Sequence, residues 1–210
     1  MHQDLMPLTF MSSLTAPAWL VYAIAATFFI GFGFYLYRLL FGEKVKAIYG
    51  YWEPENEIGH GICMLAMAFH LAPDVIASSF TLWAVVLFSG AAWFTARALS
   101  WGKRVLYPTK WWWDWAHVGM LLGMALMFYP LNFGIWFAYL QAAFWLWFAG
   151  YYAYQIVVDS HHPNMFYLGS DISHFLMGAV MLVMTLWPGL LMSNHHAMMP
   201  DMFAPICTTR

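Results

Sequence analysis

Three acid–histidine pairs recur along this chain of 210 residues at one fixed interval. Glu57, Asp114 and Asp171 each stand three residues before a histidine, His60, His117 and His174, and both series advance in steps of 57. Sulfur follows each histidine: Cys63, Met120 and Met177 at +3, Met67, Met124 and Met181 at +7, then His70, Met127 and Met184 at +10. At 100° per residue, positions −3, 0, +3, +7 and +10 fall in a stripe about 140° wide, the face a helix turns toward a bundle interior. Stacked across three copies, the stripe gives a carboxylate layer, an imidazole layer and three layers of mainly soft donors, about 4.5 to 6 Å apart at 1.5 Å per residue.

Thioether sulfur is a neutral, soft ligand that selects monovalent copper. Zinc prefers more thiolate, imidazole or carboxylate. The imidazole layer suits Cu(I), Cu(II) or Zn, and the carboxylates one turn away are expected to accept the second ring N–H and orient each ring. The expected ion is copper as Cu(I), with zinc and a b-type haem held axially by two of the histidines as less favoured alternatives. Three imidazoles beside carboxylates are also enough to activate oxygen at copper, but no pattern here identifies a substrate. His2, Met6 and Met11 near one terminus, and Met192, His195, His196, Met198, Met199 and Met202 near the other, add short His/Met tracts of metal-binding composition.

Plainer readings compete at each position. Methionine is a flexible filler of apolar cores, and a duplicated ancestor would put it in register without any metal. An acid in a first helical turn complements the helix dipole, and Ser170 reads as an N-cap before Asp171. Cys63 also fits an inert buried thiol. Histidine within a membrane span is harder to assign to packing, because intramembrane ionisable groups usually face a partner or a cavity. His161 and His162 read as solvated loop residues.

The elements that must position these layers are helices. The chain is 63% hydrophobic and 9% charged, far from the charge content of a soluble domain, about a quarter. Its partner is the bilayer. A net charge of −2 offers no basic surface for nucleic acid. The first Lys or Arg is Arg38, so a secretory leader is not expected and the first apolar segment is expected to remain as a helix. Two cysteines, Cys63 and Cys207, make no disulfide framework.

Periodicity and stops predict six helices over about 17–41, 57–72, 75–100, 112–129, 132–158 and 170–187, with Pro73, Pro130 and Pro188 ending the second, fourth and sixth. The expected fold is an all-α membrane domain of three hairpins about a pseudo-threefold axis, covering about 17–73, 74–130 and 131–188, with a His/Met-rich tail over 189–210. Two crossings separate successive motifs, so the three motif helices run parallel and central. "RLLFGEK" at Arg38 and "RALSWGK" at Arg97 weakly support the hairpin repeat, while the third copy, "YQIVVDSHHP", has lost the basic signature. Arg38, Lys44, Lys46, Arg97, Lys103, Arg104 and Lys110 cluster on one side, which by the positive-inside rule puts both termini outside and the aromatic run Trp111–Trp115 at the inner interface.

The His/Met helices over about 57–190 resemble an uncharacterised bacterial family of multi-pass membrane proteins, a likeness that implies a fold and a bacterial inner-membrane location but no activity. The Met layers are similar in chemistry to the thioether triads of eukaryotic copper transporters, which assemble from three chains. An accessory subunit docked to other membrane subunits through the aromatic exterior is the alternative of a different class.

Overall fold

The computed structural model describes residues 15–49, 52–72, 80–100, 111–128, 135–159 and 165–191. All are helix or short connection, and no strand occurs among them. The helices are α1 (Ala18–Leu40), α2 (Gly42–Tyr49), α3 (Pro54–Leu71), α4 (Phe80–Leu99), α5 (Trp111–Phe128), α6 (Ile135–Asp159), α7 (Met165–Leu186) and α8 (Pro188–Leu191). Three segments, Ala18–Leu40, Phe80–Leu99 and Tyr167–Leu186, are long and apolar enough to cross a membrane, as an integral membrane protein requires. Pro73, Pro130, His161, His162, Lys103, Arg104, Lys110, Cys207 and the His/Met tracts at both termini lie outside the described residues.

The main packing partners are α1 with α3, α4 with α5, and α6 with α7. Each pair joins a largely exposed helix to a motif helix. On α1 and α6 the outward face carries bare apolar groups such as Ile30 (74% exposed) and Trp136 (81%), which a bilayer would solvate and water would not. The motif helices supply the core: Cys63, Met64, Met67, Met120, Met124, Met177, Met181 and Met184 are buried together with Phe28, Tyr35, Leu87, Phe94 and Trp145 from the flanking helices. Close approach has a local cause in the third pair. A Cβ on Gly178 would lie 2.9 Å from the Phe148 ring and 3.1 Å from the backbone nitrogen of Ala149, so only glycine admits this crossing unchanged.

Several boundaries differ from the sequence expectation. Pro54 opens α3 at its first turn, three residues before the expected start, since proline fits where the N–H has no helical partner. The α7 helix begins at Met165 rather than near 170, so Ser170 is not an N-cap and Asp171 sits beyond the first turn. Pro188 follows the end of α7 at Leu186 and opens the short α8, whose Leu190 carbonyl accepts from Ala16 at 2.7 Å. The unexpected α2 buries Val45 and leaves Lys44 and Lys46 exposed.

Candidate metal centre

Three imidazoles from three helices meet in the structure. The His60 ring centroid lies 4.6 Å from that of His117 and 4.4 Å from that of His174, with interplanar angles of 50° and 89°. His117 and His174 are buried and His60 partly so. Each ring is tied to its own helix. His117 Nδ1 is 2.7 Å from the Trp113 carbonyl and His174 Nδ1 is 2.7 Å from the Ser170 carbonyl, while His60 hydrogen-bonds the backbone of Asn56. A carbonyl oxygen only accepts, so Nδ1 carries the proton in His117 and His174 and the lone pair sits on Nε2. In His174 that Nε2 is buried and has no hydrogen-bond partner.

The carboxylates do something other than expected. In His117 and His174 they do not orient the ring through Nδ1, because the carbonyl one turn back already occupies it. Arg38 instead donates to Glu57 at 2.8 Å, with side-chain exposures of 11% and 6%. Arg97 donates to Glu53 at 2.6 Å and lies 3.4 Å from Asp114 and 3.7 Å from Glu55. Asp171, partly buried, occupies the matching place on α7. These two arginines are thus engaged in internal ion pairs and are not free loop cations, which narrows the basic signal behind the expected sidedness.

Three aromatic rings were not foreseen as part of the site. Tyr35 stacks on His60 (5.0 Å, 27°), Phe94 on His117 (4.6 Å, 8°) and Tyr152 on His174 (4.3 Å, 9°). Each comes from the flanking helix of the same hairpin, and the Tyr35 hydroxyl also reaches His174 Nδ1 of another hairpin at 3.4 Å. The sequence does hold the signal. Tyr35 and Arg38, Phe94 and Arg97, and Tyr152 and Gln155 are each three residues apart, at successive steps of 59 and 58 for the rings. Gln155 is therefore the third-repeat counterpart of the arginines, hydrogen-bonded to the Tyr151 hydroxyl at 2.8 Å.

Beyond the imidazoles, Cys63, Met120 and Met177 are buried, as are Met67, Met124 and Met181. At +10, His70 and Met184 are buried and Met127 is partly buried. His70 packs against Phe128 at 4.8 Å and Phe80 at 5.9 Å. Not every buried methionine belongs to the stripe: Met64 lies over Gly31 of α1, where its sulfur would be 3.1 Å from an added Cβ. Among the described residues no three or more His, Cys, Asp or Glu side chains stand arranged as a ready metal cage. The donors are present, and their chemistry is neutral imidazole nitrogen followed by thioether and thiol. No protein-family model, curated protein or solved structure matches the chain.

Proposed function

We propose that the protein is an integral membrane protein that binds Cu(I) between its three motif helices. The observation that carries this reading is the burial of matched soft donors, Cys63, Met120, Met177, Met67, Met124 and Met181, next to three imidazoles whose rings touch. Neutral thioethers and imidazoles stabilise a monovalent soft ion without burying additional charge. Six spans about a pseudo-threefold axis belong to the same proposal. At 18 residues each, α3 and α5 are about 27 Å long, just under the roughly 30 Å hydrocarbon core. Ion pairs at one end of each would lie near an interface. Lys44 and Lys46, exposed on α2, favour that end as cytoplasmic, with both termini outside in a bacterial inner membrane.

The test is the copper retained per chain after purification without chelator and anaerobic loading with Cu(I). His117→Ala should lose most of the bound copper, and Met124→Leu should reduce its retention. Met64→Leu, whose residue faces α1 and not the stripe, should retain the wild-type amount. Equal trace copper in wild type and His117→Ala would assign the layers to packing and favour the accessory-subunit reading, with exposed rings such as Trp136 and Trp147 as docking surface. A haem iron would need axial imidazoles on opposite faces of a macrocycle, whereas these rings are in contact.

A further inference from the structure

Among the described residues the ion pairs all lie at one end of the inner helices. Arg97 of the second hairpin reaches Glu53 of the first at 2.6 Å, and Tyr35 of the first reaches His174 of the third at 3.4 Å. One layer beyond the imidazoles, Arg38 holds Glu57 at 2.8 Å and Arg97 approaches Asp114 at 3.4 Å. Both guanidinium groups also lie over rings, Arg38 above Phe34 at 5.5 Å and Arg97 above Phe94 at 5.1 Å. A charge on one side and a π face on the other hold each cation in place. An ion leaving the imidazoles toward this end would meet fixed positive charges on the first two hairpins, each holding one oxygen of a carboxylate.

The other side of the imidazole layer is different in kind. Its layers, from Cys63, Met120 and Met177 to His70, Met127 and Met184, carry no formal charge with histidine neutral. At 4.5 to 6 Å between layers, an ion midway is about 2 to 3 Å from both planes, within reach of flexible thioethers. Buried or partly buried soft donors thus recur at each of these turns on the three motif helices.

Building on the Cu(I) reading, we propose that the imidazole layer is the closed end of a well: Cu(I) arrives and leaves along the thioether ladder, and the Arg38–Glu57 and Arg97–Asp114 pairs seal the opposite end. The protein then takes up and returns the ion at one membrane face and is not a conduit. With the sidedness argued above, that face is the outer one.

The experiment uses the full chain in liposomes with a Cu(I) indicator in the lumen and Cu(I) added outside under reductant. Wild type should bind copper and give no more lumenal signal than empty vesicles. Arg97→Gln, which keeps a hydrogen-bonding side chain but removes the fixed charge, should raise passage roughly tenfold or more, the lower range for charges that steer ions. Met124→Leu, close in volume, should slow loading of the wild-type background; it keeps the route testable if Arg97→Gln does not fold. Sustained passage of many ions per wild-type chain would overturn the sealed well and leave copper binding intact, as would loading at an unchanged rate in Met124→Leu. An Arg97→Gln protein that folds and does not leak would also count against the seal. A wild-type chain that retains no copper would overturn the Cu(I) reading itself.

Discussion

Glu57 is buried and Arg38 donates to one of its oxygens, so removing the cation strands a carboxylate away from water. Arg38→Met should lower stability by about 3–5 kcal/mol, the cost of breaking a buried pair, and adding Glu57→Gln should recover much of it. Unfolding in detergent, followed by helical circular dichroism, measures both; an Arg38→Met protein as stable as wild type would refute the pairing. At this scale the sequence was legible where the repeat was strict. The steps of 57 identified every residue of the imidazole and sulfur layers that the structure buries or partly buries. It misled where one residue type serves two purposes. An arginine at a helix end reads as a topology signal, and only the partner helix shows that Arg38 and Arg97 turn inward. Likewise an acid three residues before a histidine reads as its orienting partner, although the carbonyl four residues back reaches Nδ1 first.

Pairing of flanking with motif helices depends on how closely their backbones can approach. In the α6/α7 pair, Gly178 faces the Ala149 backbone, which cannot swing aside as a side chain does. Gly178→Ala should therefore destabilise by about 1–3 kcal/mol, as overpacking does. Gly150→Ala, where an added Cβ meets nothing within 4 Å, should be neutral or stabilising by about 0.5–1 kcal/mol through helix propensity. Equal effects of the two substitutions on the unfolding midpoint would contradict the crossing described. Helix existence was readable from the apolar runs, because a membrane helix must satisfy its backbone internally. The starts were not. Ser170 ahead of Asp171 reads as an N-cap, which hid the beginning of α7 at Met165, and the charged α2 reads as linker until Val45 is seen buried.

For the whole molecule, three helix pairs sharing one buried core make sidedness consequential. A reporter fused after Arg210 should be active only outside the cytoplasm, and activity confined to the cytoplasm would reverse the proposed loading face. The contacts pair α1 with α3, α4 with α5 and α6 with α7, as the expected hairpins would, but the weak flanking repeat obscured how closely the third copy matches. Tyr152 and Gln155 take the places of Tyr35 and Arg38 in it. The central claim is that Cu(I) sits among imidazole nitrogens with thioether sulfur beside them. X-ray absorption at the copper edge of the anaerobically loaded protein tests it most directly. The account predicts a three-coordinate Cu(I) edge with imidazole nitrogen scattering in wild type, weakened in His117→Ala in favour of sulfur or lost together with the copper. A spectrum of oxygen ligands alone, unchanged by His117→Ala, would contradict it.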